Sequence, residues 1–366
     1  MDRDMLYQIA LTMVPQIGDV HAASLLQYFK SAEEVFSASR SVLDKIPGIG
    51  PVRSKSIKDF KDFNKAEKEL EFTGKYGIQV IHRQHPAYPK RLLHCYDAPS
   101  LLYYKGNADL NTSKVLAIIG TRSHTSYGKD ITTQIVRELA PSKVLIISGL
   151  AYGIDAVAHK ASLDNEMQTI GVIAHGLDRI YPSAHTALAR AMIQSGGLLT
   201  DLRSGTAPDK QNFPRRNRIV AGIADAILVI ETDIRGGSMI TAELANNYNK
   251  DVFAVPGKVT DPKSAGCNYL IRNNKAALVT SGKDILEFMN WSNTAKSKTI
   301  QQKKLFIDLS PEEKLITEIL NENESVHIDE INIRCGLSSS SIAAAILHLE
   351  LEGIISTLPG KHYKLS

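Results

Sequence analysis

Aromatic rings make up only 6% of this 366-residue chain, and it has a single tryptophan. Each ring that falls beside charged residues therefore carries weight. Cysteine is scarce too. Cys95, Cys267 and Cys335 lie far apart, form no CxxC pair and no metal-ligand spacing, and cannot all pair with one another. Reduced thiols are expected, with no disulfide framework, no metal and no cofactor. No apolar run approaches the ~18–20 residues that cross a bilayer, so no membrane partner is expected. Met1-Asp2-Arg3-Asp4 opens a polar, amphipathic segment and not a signal peptide, which implies a cytoplasmic protein.

Net charge is +4, and its distribution is uneven. Residues 1–110 carry a net of +2, residues 111–304 a net of +8, and residues 305–366 a net of −6. An electrostatic footprint for a polyanion is expected in the middle of the chain and not in its tail.

Four segments follow from the patterning. Residues 1–75 are helical, with Leu11, Val14, Ile17, Ala22, Leu25, Leu26 and Phe29 at helical spacing. Ile46-Pro47-Gly48-Ile49-Gly50 predicts a tight turn between two helices, and the amides of the second helix start can hold a phosphate. With Arg53, Lys55 and Lys58 behind it, this resembles a helix-hairpin-helix, a module that usually grips DNA backbone. Val14-Pro15-Gln16-Ile17-Gly18 is a weaker first copy. Gly48, Gly50, Arg53 and Lys55 are candidate secondary backbone contacts, against a purely structural helical cap.

Residues 76–291 begin with extended stretches and then alternate apolar runs with helical stretches. The runs are 115–119, 144–147, 169–174, 197–200, 226–230, 252–255 and 277–279. Continuous apolar strands separated by helices predict a doubly wound, mostly parallel, Rossmann-like α/β sheet. Residues 292–304 are polar and lysine-rich, as a linker is. Residues 305–366 predict three helices and a hairpin, a winged helix. Its net of −6 favours protein contact or regulation over DNA.

On such a sheet ligands sit beyond the carboxyl ends of the strands. Four of those ends suit phosphate, Val255-Pro256-Gly257-Lys258 among them. Gly120-Thr121-Arg122-Ser123 has a glycine, hydroxyls and an arginine, but no GxGxxG and no acidic residue placed for a ribose, so an ordinary dinucleotide site is not expected. Gly236-Gly237-Ser238 with Thr241 opens a helix as an anion pocket. Between them lies Asn212-Phe213-Pro214-Arg215-Arg216-Asn217-Arg218, with Lys210 just upstream. Arginine forks grip phosphate oxygens, asparagine offers an amide, and a phenylalanine stacks on a base. Ser148, Asp155 and His159 can be imagined as a catalytic triad, but the serine lacks the flanking glycines of a nucleophile elbow, and Asp155 serves equally as a helix cap.

The ordered set Gly120-Thr121-Arg122, Ser148-Gly149-Leu150-Ala151-Tyr152-Gly153-Ile154-Asp155 with Ala158-His159, Gly176-Leu177-Asp178 with Tyr181-Pro182, Phe213-Pro214-Arg215-Arg216-Asn217-Arg218-Ile219, Gly237-Ser238-Met239-Ile240-Thr241-Ala242, and Val252-Phe253-Ala254-Val255-Pro256-Gly257 with Ser264, Gly266 and Asn268 resembles the DNA processing protein A (DprA/Smf) family. The resemblance covers the whole middle segment. It implies a cytosolic single-stranded DNA-binding protein, a homodimer built through the α/β domain, and a mediator that protects incoming DNA and hands it to the RecA recombinase in natural transformation. It would place Arg122, Lys210 and Arg216 to Arg218 on phosphates and Phe213 against a base, with Gly237, Ser238 and Thr241 lining the same groove. Three departures stand out. Asp201-Leu202-Arg203-Ser204-Gly205 replaces an acidic-proline-proline-glycine stretch, Ala174-His175-Gly176 replaces a glycine-rich turn, and His185 replaces an asparagine.

No catalysis is expected. The competing enzyme class is a nucleotide N-glycoside hydrolase on a related fold, which would need a carboxylate near the Gly-Gly-Ser helix start; Glu231 and Glu243 are the candidates. A third class is an adaptor acting through the two ends of the chain.

Overall fold

Strand Val115–Ile119 shows how the sheet is built. All five of its residues are buried. Val115, Ala117 and Ile119 join the apolar core on one face, and Leu116 and Ile118 join the core on the other. A strand whose alternate side chains both meet packed helices has no polar face to show, which is why it reads as an unbroken apolar run.

The computed structural model describes residues 3–292, 309–323, 325–358 and 360–365. Nine strands form the main sheet: β1 (Gln79–His82), β2 (Leu101–Gly106), β3 (Val115–Ile119), β4 (Leu145–Ser148), β5 (Thr169–Val172), β6 (Gly196–Thr200), β7 (Ala226–Val229), β8 (Asp251–Ala254) and β9 (Ala277–Leu278). Their order is β1-β2-β6-β5-β4-β3-β7-β8-β9. β1 and β2 are antiparallel additions beside β6. The other seven strands are parallel. The chain winds outward from β3 in one direction through β4, β5 and β6, then returns to the other side of β3 to lay down β7, β8 and β9. The order reverses between β3 and β7.

Helices Ser126–Leu139 and Ile154–Asp164 contribute to the core on one face of the sheet. Helices Asn212–Ile223 and Gly237–Asn247 contribute to the other. Thr125 caps the first of these, its hydroxyl accepting from the Gly128 amide at 3.1 Å.

The expected boundary at residues 75 and 76 does not separate two compact bodies. The described residues form two units, one before and one after the segment 293–308. Helices Arg3–Leu11 and Phe63–Tyr76 share an apolar cluster with Leu101 and Val80 of the sheet. Polar contacts lock the same junction. The Asp19 carboxylate accepts from the Ser100 amide at 2.8 Å, and Glu69 accepts from the Ser204 amide at 2.9 Å.

The predicted hairpin is present, and helix Gly50–Asp59 starts from it. Gly48 and Gly50 have φ of +80° and +61°, the left-handed conformation that glycine adopts without strain. Arg53, a candidate DNA contact, is engaged within the hairpin. Its guanidinium donates to the Gln16 carbonyl at 3.3 Å and the Gly48 carbonyl at 3.0 Å, tying the two hairpin turns together. Lys58 donates to the carbonyls of Phe36 and Ala38. Lys55 is exposed.

The predicted linker lies outside the described residues apart from Ser292. The second unit holds helices Pro311–Asn321, Ile328–Cys335 and Ser339–Leu351 and a small antiparallel sheet of Val326–His327, His362–Leu365 and Ile355–Leu358, in that order. Ser310 and Glu313 close a capping box with Pro311 in the first turn. Ile316, Ile331, Ile342, Leu349 and Ile355 pack together as its core. This is the winged-helix arrangement that the tail's pattern predicts.

Candidate nucleic-acid interface

Where strand order reverses, the loops after β3 and β7 diverge and leave a crevice at the carboxyl edge of the sheet. A groove of about 640 Å³ occupies this place. That lies within the ~300–1,000 Å³ typical of ligand pockets. Arg122, Lys210, Phe213, Arg216, Asn217, Gly237, Ser238 and Thr241 all line it. These residues come from three separate stretches of the sequence, and the fold brings them around one groove.

The Arg122 guanidinium lies over the Phe213 ring, 5.2 Å from its centroid. This cation–π contact holds both groups at the rim with the charge still available to an anion. Opposite, helix Gly237–Asn247 begins after Gly236, whose φ and ψ of −68° and 149° turn the chain sharply into the helix. The first amides of a helix lack intrahelical acceptors and attract negative charge. Ser238 donates to Thr232 Oγ1 at 2.7 Å, which pins this helix start.

Arg216 and Arg218 stand two residues apart on one helix and have opposite electrostatic situations. Arg218 is enclosed. It donates to Asp201 at 2.6 Å, to Asp19 at 2.9 Å, and to the Asp97 carbonyl. Burial works against its charge, but Asp201 and Asp19 outweigh that and raise its pKa above the ordinary arginine value. Arg216 is buried at 6% exposure beneath the groove. It donates to the Val172 carbonyl, while its Nε, like that of Arg218, has no partner among the described residues. Burial pulls its pKa below the ordinary value, and Asp155 offsets this only in part. A buried cation without full compensation is costly, and a phosphate in the groove would supply the missing charge. Gly149 makes room for this pair. A Cβ there would overlap both Asp155 Oδ2 and the Arg216 guanidinium.

Residues 79–290 match the family model described as DNA recombination-mediator protein A, and residues 306–361 match that of the DprA winged helix domain. The chain belongs to the DNA recombination-mediator protein A family. Protein Smf of Synechocystis sp. is 30% identical over 98% of each chain. Among solved structures, DNA processing protein A of Streptococcus pneumoniae superposes with a TM-score of 0.67 at 33% identity, covering 78% of this chain and 98% of its own. DNA processing protein A of Helicobacter pylori, whose structure addresses a single-stranded DNA binding mode, superposes at 0.53 with 30% identity, covering 58% and 95%.

Family membership makes the departures instructive. Arg218 and Arg215, both expected at the ligand, do not line the groove. Arg218 is spent on Asp19 and Asp201, and Arg215 lies 3.5 Å from the same two carboxylates. Both serve the junction with the N-terminal helices. The imagined triad is not assembled. Ser148 donates to the Ile118 carbonyl at 2.6 Å, and His159 is held between the Gly149 carbonyl at 2.5 Å and the Thr169 hydroxyl at 2.7 Å. Burial drives the His159 pKa down to about 4, so the ring is neutral.

The two carboxylates of the hydrolase alternative are also placed elsewhere. Glu231 is fully buried and accepts from the Thr125 amide at 2.9 Å and the Thr125 hydroxyl. Glu243 is 3.9 Å from Lys275 and is absent from the groove wall. Among the described residues no cluster of three His, Cys, Asp or Glu side chains could hold a metal ion. No helix among them is long and apolar enough to cross a membrane.

Sequence reasoning missed Lys263, which reaches into the groove from beyond β8 and donates to Ser123 and, at 3.4 Å, to Thr121. Its only signal was its place after a strand end. Tyr181, whose ring lies 6.1 Å from that of Phe213, was noted only as part of a motif.

Proposed function

We propose that this chain is a single-stranded DNA-binding recombination mediator, which holds unpaired DNA in the groove at the carboxyl edge of its sheet, protects it, and delivers it to the RecA recombinase during natural transformation. The observation that carries the reading is the Arg122–Phe213 pair standing beside Arg216, a buried cation short of counter-charge. A ring beside cations is the chemistry of unpaired bases on a phosphate backbone, where bases stack without sequence preference. Family membership and the single-strand subject of the Helicobacter pylori structure support the same conclusion. The protein acts as a cytosolic homodimer joined through the α/β unit, and binds without breaking a bond.

Fluorescence anisotropy with labelled oligo-dT and a matched duplex tests it. Single strands should bind more tightly. With Arg122, Lys210, Arg216 and Lys263 each neutralising one phosphate, the log–log salt slope should be about −3, from roughly −0.7 per phosphate. An affinity unchanged between low and moderate salt refutes the reading. Delivery is tested by following RecA ATPase on strands coated with single-strand binding protein, where the chain should shorten the lag. Loss of that effect with DNA binding intact, on deleting residues 305–366, would place the recombinase contact in the tail.

A further inference from the structure

The wall that presents Phe213 does not stop there. Beside the Arg122–Phe213 pair a smaller recess opens between the ends of β4 and β5, and Tyr152, Tyr181 and Phe213 stand around it. Tyr181 is tilted 57° to Phe213 at 6.1 Å. Tyr152 lies edge-on to the His185 ring at 5.1 Å and 66°. Both tyrosines are about half exposed, at 49% and 48%. In a chain this poor in Phe, Trp and Tyr, three such rings and the His185 imidazole lie along one edge of the sheet.

The rings are backed by a rigid floor. Leu150 and Ile173 line the recess and belong to a buried apolar cluster with Met192 and Leu198. His185 is fixed as well, because its Nδ1–H donates to the Leu150 carbonyl at 3.1 Å. Arg122 and Arg216 reach the recess, and among the described residues no carboxylate lines it. The recess itself, about 30 Å³, has room for little more than a water, but the half-exposed tyrosine faces beside it, backed by an apolar floor and a cationic rim, suit a flat, unpaired base on an anionic backbone. They do not suit a cationic ligand.

We propose that Tyr181, Tyr152 and His185 form a second stacking ledge that carries the DNA strand past Phe213 and takes further unpaired bases. The proposal rests on the groove binding single strands. It predicts that affinity rises with the length of strand bearing bases beyond the groove, and not merely with the number of phosphates.

The test measures binding of the full chain to oligo-dT, and to an oligomer of equal length with abasic residues outside a short run of thymidines. Tyr152→Leu and Tyr181→Leu, which keep apolar bulk, should each weaken oligo-dT binding roughly 5- to 150-fold, the usual worth of one stacked base. The phenylalanine variants should bind like the original chain. The partly abasic oligomer should bind the original and the leucine variants alike, and the salt slope should stay unchanged because no phosphate contact is removed. Photocrosslinking of the unmutated chain to oligomers carrying 5-iododeoxyuridine should give adducts at Tyr152 or Tyr181 in addition to Phe213. The ledge is refuted if the leucine variants bind both oligomers like the original chain, or if adducts form at Phe213 alone. If the unmutated chain binds no oligomer, the groove reading itself falls, a distinct result.

Discussion

Arg218 separates the two roles that one arginine cluster can play. Arg218→Met keeps the aliphatic stem and removes the charge. The structure places the guanidinium between Asp201 and Asp19, whose side chains are 3% and 17% exposed, with the Asp97 carbonyl as a third acceptor. Removing the cation leaves two poorly solvated carboxylates with only the half-exposed Arg215, 3.5 Å from each, as counter-charge. Breaking a buried pair in this way costs about 3–5 kcal/mol, mostly from the uncompensated charge left behind. Unfolding entropy near 2.1 cal/mol/K per residue, over the ~290 residues of the first unit, converts this to a fall in melting temperature of about 5–8 °C. Asp201→Asn added to the variant should recover part of the loss. Calorimetry reads the stability, and anisotropy with oligo-dT reads the binding. Salt dependence should keep its slope, because Arg218 neutralises no phosphate. The reasoning fails if Arg218→Met melts like the original chain and instead lowers the salt slope by about 0.7, the signature of a lost phosphate contact.

Phe213→Ala should weaken oligo-dT binding by about 1–3 kcal/mol with the melting temperature unchanged, since the ring lies at the rim of the groove and outside the core; an equal loss for an abasic strand would contradict stacking. Gly149→Ala forces a methyl against Asp155 and Arg216, so it should destabilise by about 1–3 kcal/mol and also weaken DNA binding by displacing Arg216; normal melting and normal binding together would show that the pair has room to spare. His159 has a folded pKa of about 4 against an unfolded value near 6.5, so the unfolded chain takes up the proton first on acidification. The stability from its neutral form is complete above about pH 6.5 and is lost as pH falls towards 4, an effect of about 3 kcal/mol. His175, also lowered by burial, adds in the same direction. Melting temperatures from neutral pH downward should fall, and His159→Gln should flatten the curve; an equally steep fall in that variant would assign the effect to other groups.

Much of the fold was legible because it depends on local pattern. A strand buried on both faces must be apolar throughout, so 115–119 and 226–230 read as strands, and Ser310-Pro311-Glu312-Glu313 read as a helix start because capping is a matter of adjacent residues. The tight turn at Gly48 and Gly50 was legible for the same reason. Boundaries were less so. β4 and β8 begin one residue away from where the apolar runs do, because pairing and not hydropathy sets where a strand starts.

At the site, sequence alone determined which residue types were available and in which strand-end loops they lay. It placed Arg122, Lys210, Phe213, Gly237, Ser238 and Thr241 on the carboxyl edge of a parallel sheet. It did not tell Arg216 from Arg218, since neighbours in a basic run look alike until their partners are known. Those partners, Asp19 and Asp201 for one and the Val172 carbonyl for the other, are up to 199 residues away. Only tertiary structure brought them together. It thereby decided which charge was consumed in holding the N-terminal helices to the sheet, and which was left beneath the groove in want of an anion.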